Sequence, residues 1–408
     1  GTSSDIGTGR WLRRGVGTAT TGNSPATSTE KKLVLVDGNL LFYRSLFGTP
    51  SLSTSDGRPS NAIHGFLTYL FKLQEVDPSD ICIVFDRMER PKARTSAFPD
   101  YKSGRSPLEG GSKHQLETLQ GNLASIGWPT LIAPEEMEAD DVIHVLATNY
   151  AQPSNTIYDE VTIISSDKDL WPLLQWNKVQ VVDPTKRNKV ITAAMAMSAF
   201  QVSRIDSIPD VVALMGDKSD NLPGIPGLGA KRAATLIEAY GSVEGLIEAV
   251  EEGKIASPAM CEQVRQWGAR ALSVRAMRKA LPWPTQVPLP EPDAFRPSPS
   301  GWVSPTSRAF YEQWQLKKIG TTAELLWSAR QAEHMLSPLE AFRQGLTLCW
   351  NDPAGVADLE AWLQQCRKGG AVAMDLCTEA LPQGTAPPSR SEGKIMAVGM
   401  ALTAPNLA

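Results

Sequence analysis

Three short apolar runs in this chain are each followed by aspartates, and helical patterns separate the runs. The runs are rich in Val and Ile, which is typical of buried parallel strands. They read KLVLV before Asp37, DICIVF before Asp86, and VTIIS before Asp167 and Asp169. Helical patterns at 62–74, 113–126 and 140–150 alternate with them. This alternation predicts an α/β fold with a mostly parallel central sheet and helices on both faces.

Carboxylates are expected to meet at one edge of this sheet, because the ligand crevice of such folds lies beyond the carboxyl ends of the strands. Two further acidic segments, EMEADD and LMGDKSDN, join the strand-end aspartates. Any one of these acids could instead complement a helix dipole or cap a turn. Nine acids at such positions favour a common site. They are Asp37, Asp86, Glu138, Asp140, Asp141, Asp167, Asp169, Asp217 and Asp220.

Converging carboxylates need counter-ions, because unit charges about 4 Å apart repel by roughly 4 kcal/mol at an effective dielectric near 20. Hard divalent cations such as Mg²⁺ or Mn²⁺ suit oxygen ligands. Zinc is disfavoured because the five cysteines and four histidines are scattered. Two ions about 4 Å apart would activate water and stabilise both oxygens of a phosphodiester displacement. The pattern therefore predicts a metal-dependent phosphodiesterase.

Residues 87–113 form a basic strip in a chain whose formal net charge is -4. The strip holds seven Lys and Arg residues against three Asp and Glu residues, and Phe98 and Tyr101 lie among them. Cations interleaved with aromatics suit a nucleic-acid single strand, although a solvated surface is the common alternative. The net charge excludes a uniformly basic nucleic-acid binder.

A glycine-rich turn, NLPGIPGLGAKR, follows the second acidic segment directly. It contains Gly224, Gly227 and Gly229 and leads into a helix predicted to begin near Ala230. Backbone N–H groups at such a helix start can hold a phosphate, and Lys231 and Arg232 add positive charge there. Because this turn reads no bases, the contact should be independent of DNA sequence.

Together these strings resemble the 5′ nuclease domain of bacterial DNA polymerase I, a member of the flap endonuclease family. The resemblance covers residues 32–285 and rests on VDGNLLFYR, IVFD, YKSGR, EADDVI, SDKDL and ALMGDKSDNLPGIPGLGAK, in that order. It implies a PIN-like 5′ nuclease fold with a helical arch and a helix–three-turn–helix element. It also implies Mg²⁺-dependent cleavage of DNA 5′ ends and flaps, and removal of RNA primers.

The resemblance assigns a role to each matching position. Asp37, Asp86, Glu138 and Asp140 would hold the first metal, and Asp167, Asp169 and Asp217 the second. Asp141 and Asp220 belong to the same metal group as acids that support it. Arg94 and Lys102 would act at the scissile phosphate. DNA contacts are implied for Arg44, Tyr101, Arg105, Gly224, Gly227, Gly229, Lys231 and Arg232, and a potassium ion for the helix–three-turn–helix element.

The remaining segments divide the chain. Residues 1–31 are predicted as a disordered tail; their Arg and Ser content also fits an organelle transit segment, an alternative to the cytoplasmic, nucleoid location expected otherwise. Next come a nuclease core with arch (32–205), the DNA-binding subdomain (206–285) and a proline-rich linker with a helix (286–335). Residues 336–408 resemble a partial proofreading exonuclease domain. There Cys377 replaces a required glutamate two residues after Asp375, so proofreading is not expected.

Three classes of function remain open on the sequence. A structure-specific 5′-3′ exonuclease or flap endonuclease leads, acting alone on flapped DNA or on an RNA primer paired with DNA. A non-catalytic branched-DNA binding module is the second, but it would require losses among the acids. A PIN-like ribonuclease is the third, and the helix–three-turn–helix element argues against it.

Overall fold

The computed structural model describes residues 31–331 apart from 77–78, 88, 90 and 105–107, together with the backbone of residues 372–375 and 399–402. Across these residues the largest sheet has six strands in the spatial order third, second, first, fourth, fifth, sixth. All neighbours are parallel except the last pair, which is antiparallel. The strands are β1 (Lys32–Asp37), β2 (Asp80–Phe85), β3 (Thr130–Ile132), β4 (Glu160–Ile164), β5 (Val179–Asp183) and β6 (Lys189–Ile191).

Helices cover both faces of this sheet, as the sequence predicts. Along β1 the side chains of Leu33 and Leu35 join one hydrophobic cluster, while Val34 and Val36 join another. This alternation follows from the two-residue period of a strand. The helices of this part are α1 (Gly38–Gly48), α2 (Asn61–Val76), α3 (Lys92–Ala97), α4 (Gly110–Asn122), α5 (Ala139–Ala151) and α6 (Ala193–Phe200), with a 3-10 helix at Lys168–Gln175.

The order of the strands reverses between β1 and β4. From β1 the chain moves outward through β2 and β3 on one side, and β4 and β5 lie on the other. Such a switch point opens a crevice at the carboxyl edge of a parallel sheet. Asp37, Asp86 and Asp167 follow three strands at this edge.

A helical subdomain follows the sheet. Its glycine turn is tight, because a Cβ atom at Gly224 would overlap the backbone carbonyl of Met215. The predicted helix start near Ala230 is confirmed, since a helix begins at that residue. The elements are α7 (Ile208–Met215), β7 (Gly216–Asp217), β8 (Leu222–Pro223), α8 (Ala230–Tyr240), α9 (Val243–Glu251) and α10 (Pro258–Met277).

The sequence predicts a proline-rich linker with a helix at 286–335; helices are present there, and the proline-rich part packs against the core. It forms a 3-10 turn (Pro292–Phe295), α11 (Pro299–Trp302) and α12 (Pro305–Gln313). Trp302 is fully buried, and its ring centroid lies 5.1 Å from that of Trp128 and 5.4 Å from that of Phe71. Proline suits the first turn of a helix, which explains how these short helices start.

The chain divides into two compact units, residues 1–326 and 327–408. In the second unit, β9 (Val372–Asp375) pairs antiparallel with β10 (Gly399–Leu402). Of the tail predicted at 1–31, residues 1–30 lie outside the described residues, as does Cys377, whereas Lys31 donates its N–H to Asp159 at 2.9 Å. Within the described part, no helix combines the length and apolar character needed to cross a bilayer.

Candidate active site

A cavity of about 960 Å³ opens at the carboxyl edge of the sheet, and seven of the nine predicted acids line it. Three follow strands, two lie at the start of α5, and two come from the 3-10 helix and β7. Segments far apart in the sequence thus bring their carboxylates to one place. The seven are Asp37, Asp86, Glu138, Asp140, Asp167, Asp169 and Asp217.

The ends of the strands hold two of these acids in place through hydrogen bonds. Asp37 caps α1 by accepting the Leu40 N–H at 2.9 Å, and the Ser165 hydroxyl donates to its second oxygen at 2.9 Å. Asp86 accepts the Ala139 N–H at 2.7 Å, which joins the end of β2 to the start of α5. These bonds orient the carboxylates without neutralising their charge.

Burial and mutual repulsion raise the pKa of two cavity acids. The pKa of Asp37 rises to about 7, mainly through burial and also through the nearby Asp86 and Asp167. The pKa of Asp140 is raised well above its usual value by burial and by Asp167 and Asp37. The cluster therefore concentrates negative charge beyond what its surroundings offset.

The donor chemistry of this cavity fits a hard divalent cation, because its ionisable ligands are carboxylates and no His or Cys lines it. In the side-chain positions of the described residues, no three His, Cys, Asp or Glu groups converge into a ready metal-ligand set. The fit rests on the oxygen donors and on the raised pKa values of Asp37 and Asp140.

Glu138, which also lines the cavity, accepts hydrogen bonds from two cationic side chains and one hydroxyl group. It accepts the Lys102 ammonium at 2.8 Å and the Tyr101 hydroxyl at 2.9 Å, and it also pairs with Arg94. Burial opposes its ionisation, but Lys102 and Arg94 outweigh that effect and hold the pKa of Glu138 below its usual value. Although burial disfavours a charged amine, Glu138 raises the pKa of Lys102, so this ammonium stays protonated.

Two predicted site residues, Asp141 and Arg94, are buried and do not line the cavity. Asp141 completes a capping box by accepting the Glu138 N–H at 2.8 Å, and it accepts the Arg94 guanidinium at 2.6 Å and the Leu281 N–H at 3.0 Å. Asp141 and Arg94 are absent from the cavity lining. Both side chains are thus held by contacts at the start of α5, and their roles at the metal and at the scissile phosphate stay predictions.

Asp220 also lies outside the cavity lining, and it connects the basic strip to the helical subdomain. Its backbone oxygen accepts the Lys102 N–H at 3.1 Å. Beside it, the Asn221 amide donates to Asp100 O at 3.1 Å and to Ser103 Oγ at 3.0 Å. Sequence reasoning missed Asn221; its left-handed backbone, at φ 56°, is the kind of turn position that asparagine favours.

Arg278 is a cavity residue that sequence reasoning missed entirely. One guanidinium nitrogen lies 3.0 Å from Asp217 Oδ2, and the other pairs with Asp169. Burial lowers the pKa of this side chain, although the nearby carboxylates oppose that effect. The only signal in the sequence was a cation at a helix end, which the helix dipole favours without any site.

The predicted DNA contacts fall in three places. Lys231 and Arg232 are exposed at the start of α8, where Gly227 has a φ of 77°. Arg44 instead donates to Pro184 O at 2.7 Å and stacks over Tyr69, outside the cavity lining. Tyr101 is buried, and Arg105 lies outside the described residues.

Comparisons with known proteins cover the sheet and the helical subdomain. The family described as "5'-3' exonuclease, N-terminal resolvase-like domain" matches residues 32–201, and "5'-3' exonuclease, C-terminal SAM fold" matches residues 204–291. The chain is 40% identical over 219 residues to the 5′-3′ exonuclease of Aquifex aeolicus, which covers 53% of this chain and 73% of that protein.

Other similar proteins are longer or more distant. The chain is 35% identical over 243 residues to the thermostable DNA polymerase I of Thermus aquaticus, covering 60% of this chain but 28% of the polymerase. The T5 D15 protein co-crystallised with metal ions aligns with a TM-score of 0.49 at 20% identity, over 60% of this chain and 88% of that one. The catalytic core of Rad2 with DNA aligns with a TM-score of 0.46 at 16% identity, over 70% and 88%.

Proposed function

Because this chain belongs to the family of 5′-3′ exonucleases, we propose that it hydrolyses phosphodiester bonds of DNA at 5′ ends and at the base of 5′ flaps. The observation that carries this proposal is the cavity in which carboxylates from separate strands and helices face the Lys102 ammonium. Negative charge that attracts divalent cations and positive charge that attracts a phosphate lie in one crevice. Primer and flap removal during replication and repair is the corresponding role.

Two Mg²⁺ ions are the proposed cofactors, with Mn²⁺ as a substitute. Asp37, Asp86, Glu138 and Asp140 would hold one ion, and Asp167, Asp169 and Asp217 the other. When bound, such ions supply a water of lowered pKa and positive charge for the attacking and leaving oxygens. Asp141 would support this set by fixing the start of α5 through its bond to the Glu138 N–H.

Lys102 would bind the scissile phosphate directly. Its ammonium lines the cavity and is held at 2.8 Å by Glu138. Because it stays protonated, it can donate a hydrogen bond to a phosphate oxygen as negative charge develops there. Arg94, which pairs with both Glu138 and Asp141, would act indirectly by keeping Glu138 in place.

The start of α8 would hold the duplex part of the substrate. Gly229 caps this helix without a side-chain bond, so its side chain does not compete with a phosphate for the first-turn N–H groups. Lys231 and Arg232 add charge to it. Binding there would be independent of base sequence, and an RNA primer paired with DNA would be accepted. A potassium ion near the Gly224–Gly229 turn belongs to the same proposal.

The experiment compares a 5′-flap DNA, a matching RNA hairpin and a blunt duplex, each with and without Mg²⁺. We expect cleavage of the flap, loss of cleavage in chelator, and recovery with Mg²⁺ or Mn²⁺. Asp86→Asn and Asp217→Asn should each abolish cleavage and leave flap binding largely intact. Asp206→Asn is the matched control, because Asp206 is exposed and pairs with Arg204 away from the cavity.

Each other outcome contradicts a distinct part of the proposal. Flap binding without cleavage of any substrate would indicate a non-catalytic branched-DNA module. Preferred cleavage of the RNA hairpin would indicate a PIN-like ribonuclease. Full cleavage in excess chelator would contradict the role of the metals, and near-normal turnover by either Asn variant would contradict the assignment of that acid.

A further inference from the structure

Arg278 lies between two acids that the proposed function assigns to the second ion. Its Nη1 lies 3.0 Å from Asp217 Oδ2, and its Nη2 pairs with Asp169 Oδ1. The guanidinium side chain is 7% exposed, whereas the Asp169 and Asp217 side chains are 26% and 23% exposed. The cation is therefore the buried member of this triad, and the carboxylates reach the cavity.

The arginine occupies oxygens that a divalent cation would need. Asp217 Oδ1 accepts both the N–H and the hydroxyl of Ser219, at 2.8 Å and 2.5 Å, while its Oδ2 accepts Arg278. Each carboxylate oxygen has two lone pairs, so an ion can share an oxygen with Arg278. The guanidinium charge would then lie beside the ion and repel it, and moving this side chain away would break its charge-assisted hydrogen bonds.

The backbone of Arg278 is held, so any such movement belongs to its side chain. Its N–H donates to Val274 O at 3.2 Å at the end of α10. Val274 itself is fully buried in the hydrophobic cluster that this helix shares with α7 and α9. The side chain reaches the cavity from a fixed point, and its several rotatable bonds allow it to swing without unfolding the helix.

We infer that Arg278 is an internal counter-ion of the second metal site, which neutralises Asp169 and Asp217 in the metal-free protein and whose positive charge opposes binding of the second ion to these carboxylates. The inference rests on the proposed function, because that function places a metal at Asp169 and Asp217. The inference goes beyond that function because it assigns Arg278 two opposite effects. Arg278 stabilises the metal-free protein and weakens binding of the second ion.

The experiment is calorimetric titration of the whole protein with Mn²⁺, without DNA. We expect the wild type to show two binding events of different affinity. Arg278→Gln should tighten the weaker event about tenfold, since no guanidinium charge then lies beside the second ion. The stronger event should be unchanged.

A matched control lies one turn earlier on the same helix. Arg275 also joins two carboxylates, with Nε 2.7 Å from Asp210 and Nη1 2.6 Å from Glu244, and neither acid lines the cavity. Arg275→Gln should leave both binding events unchanged. In chelator both variants should melt below the wild type. Added Mn²⁺ should close the gap for Arg278→Gln but not for Arg275→Gln.

The outcomes separate this inference from the proposed function. An unchanged or weakened second event in Arg278→Gln overturns the inference alone, provided that Asp217→Asn removes that event. If Asp217→Asn leaves both events intact, the metal assignment of the proposed function fails, and the inference fails with it. Should Arg278→Gln not fold, Arg278→Met takes its place, with the same expected direction, because methionine is similar in length and carries no charge.

Discussion

Lys102 combines a restricted backbone with two anchoring contacts. Its φ of 53° lies in the left-handed region, where a residue with a side chain costs about 1 kcal/mol or more. The bond from its N–H to Asp220 O and the bond from its ammonium to Glu138 offset that cost. The result is an ammonium held at the cavity wall before any substrate arrives.

Replacing Lys102 by alanine should slow chemistry more than it weakens binding. We expect the single-turnover rate on a 5′ flap to fall roughly a hundredfold, since a donor at developing charge contributes about 3 kcal/mol. The measurement uses enzyme in excess. Lys178→Ala is the control, because that partly buried lysine donates to Asn155 O and Tyr158 O away from the cavity. Weaker binding with an unchanged rate would instead make Lys102 a docking residue.

Asp37 should make the metal-free protein less stable as pH rises. Its carboxyl has a pKa of about 7 in the folded protein, against 3.8 ordinarily. The stability that it contributes is therefore complete below about pH 4 and is lost as pH rises through about 7. In chelator, Asp37→Asn should raise the melting temperature relative to wild type at pH 8 and raise it by less at pH 5, where only part of the contribution is lost.

Asp183 provides a control of opposite sign. It also follows a strand and caps a 3-10 turn, but although burial raises its pKa, hydrogen bonds from Thr185 and Lys186 outweigh burial and lower it. Its stabilising contribution is therefore present at pH 8 and lost in acid. Asp183→Asn should lower the melting temperature at pH 8. An Asp37→Asn variant that behaves in the same way would contradict the charge crowding inferred for the cavity.

At the scale of elements, α8 and the turn before it join the cavity to an exposed basic surface. Gly229 and Ala230 line the cavity, while Lys231 and Arg232 are exposed in the same helical turn. Arg232 also donates to Gly227 O at 3.1 Å, which closes the turn against the helix. One short element thus borders the acidic cavity through Gly229 and exposes the two cations that are proposed to contact duplex phosphates.

Removing the charges of Lys231 and Arg232 should weaken binding of all duplex sequences alike. For each phosphate that the protein no longer neutralises, the slope of log affinity against log salt should become shallower by about one. The measurement is flap binding at several salt concentrations, with saturating single-turnover rates measured in parallel. Lys254→Ala is the control, as an exposed lysine paired with Glu252 beyond α9. A changed saturating rate with an unchanged salt slope would contradict a docking role for α8.

At the scale of the whole first unit, the proline-rich segment completes the second face of the sheet. Trp302, Phe310, Tyr311 and Trp314 are buried in the cluster that also contains residues of α2 and of β1. The segment therefore belongs to the core that supports α1 and α2. Without this segment, aromatic residues of α2 that pack against it would be exposed to solvent.

Trp302→Ala should destabilise the protein by about 3–5 kcal/mol, the usual cost of truncating a fully buried tryptophan. Its ring stacks with Trp128 at an interplanar angle of 24°, so the substitution leaves a cavity between aromatic rings. The measurement is the free energy of unfolding in denaturant. Leu325→Ala, at a site 67% exposed, should change stability by less than about 0.5 kcal/mol. Equal losses for the two variants would mean that the segment does not stabilise the core.

The sequence by itself determined the strands β1, β2 and β4, the helices α2, α4 and α5, the start of α8 and the positions of the acids, because those signals are local. A strand repeats every two residues, a turn needs particular residues such as Gly224, and aspartates directly after parallel strands must reach one edge of the sheet. The resemblance to known 5′ nucleases rested on the same short strings. These features can be predicted without knowledge of any contact between residues far apart in the sequence.

Only the tertiary structure decided which acids face the cavity and what meets them there. Asp141 and Asp220 look like the other acids in sequence, yet both are buried and neither lines the cavity. Arg278 follows Asp217 by 61 residues in the sequence and lies just past the end of α10. It reaches that carboxylate only because the helices pack together. The burial of Trp302 likewise depends on distant partners. Side-chain direction and long-range pairing arise from how the elements pack, and no local pattern encodes them.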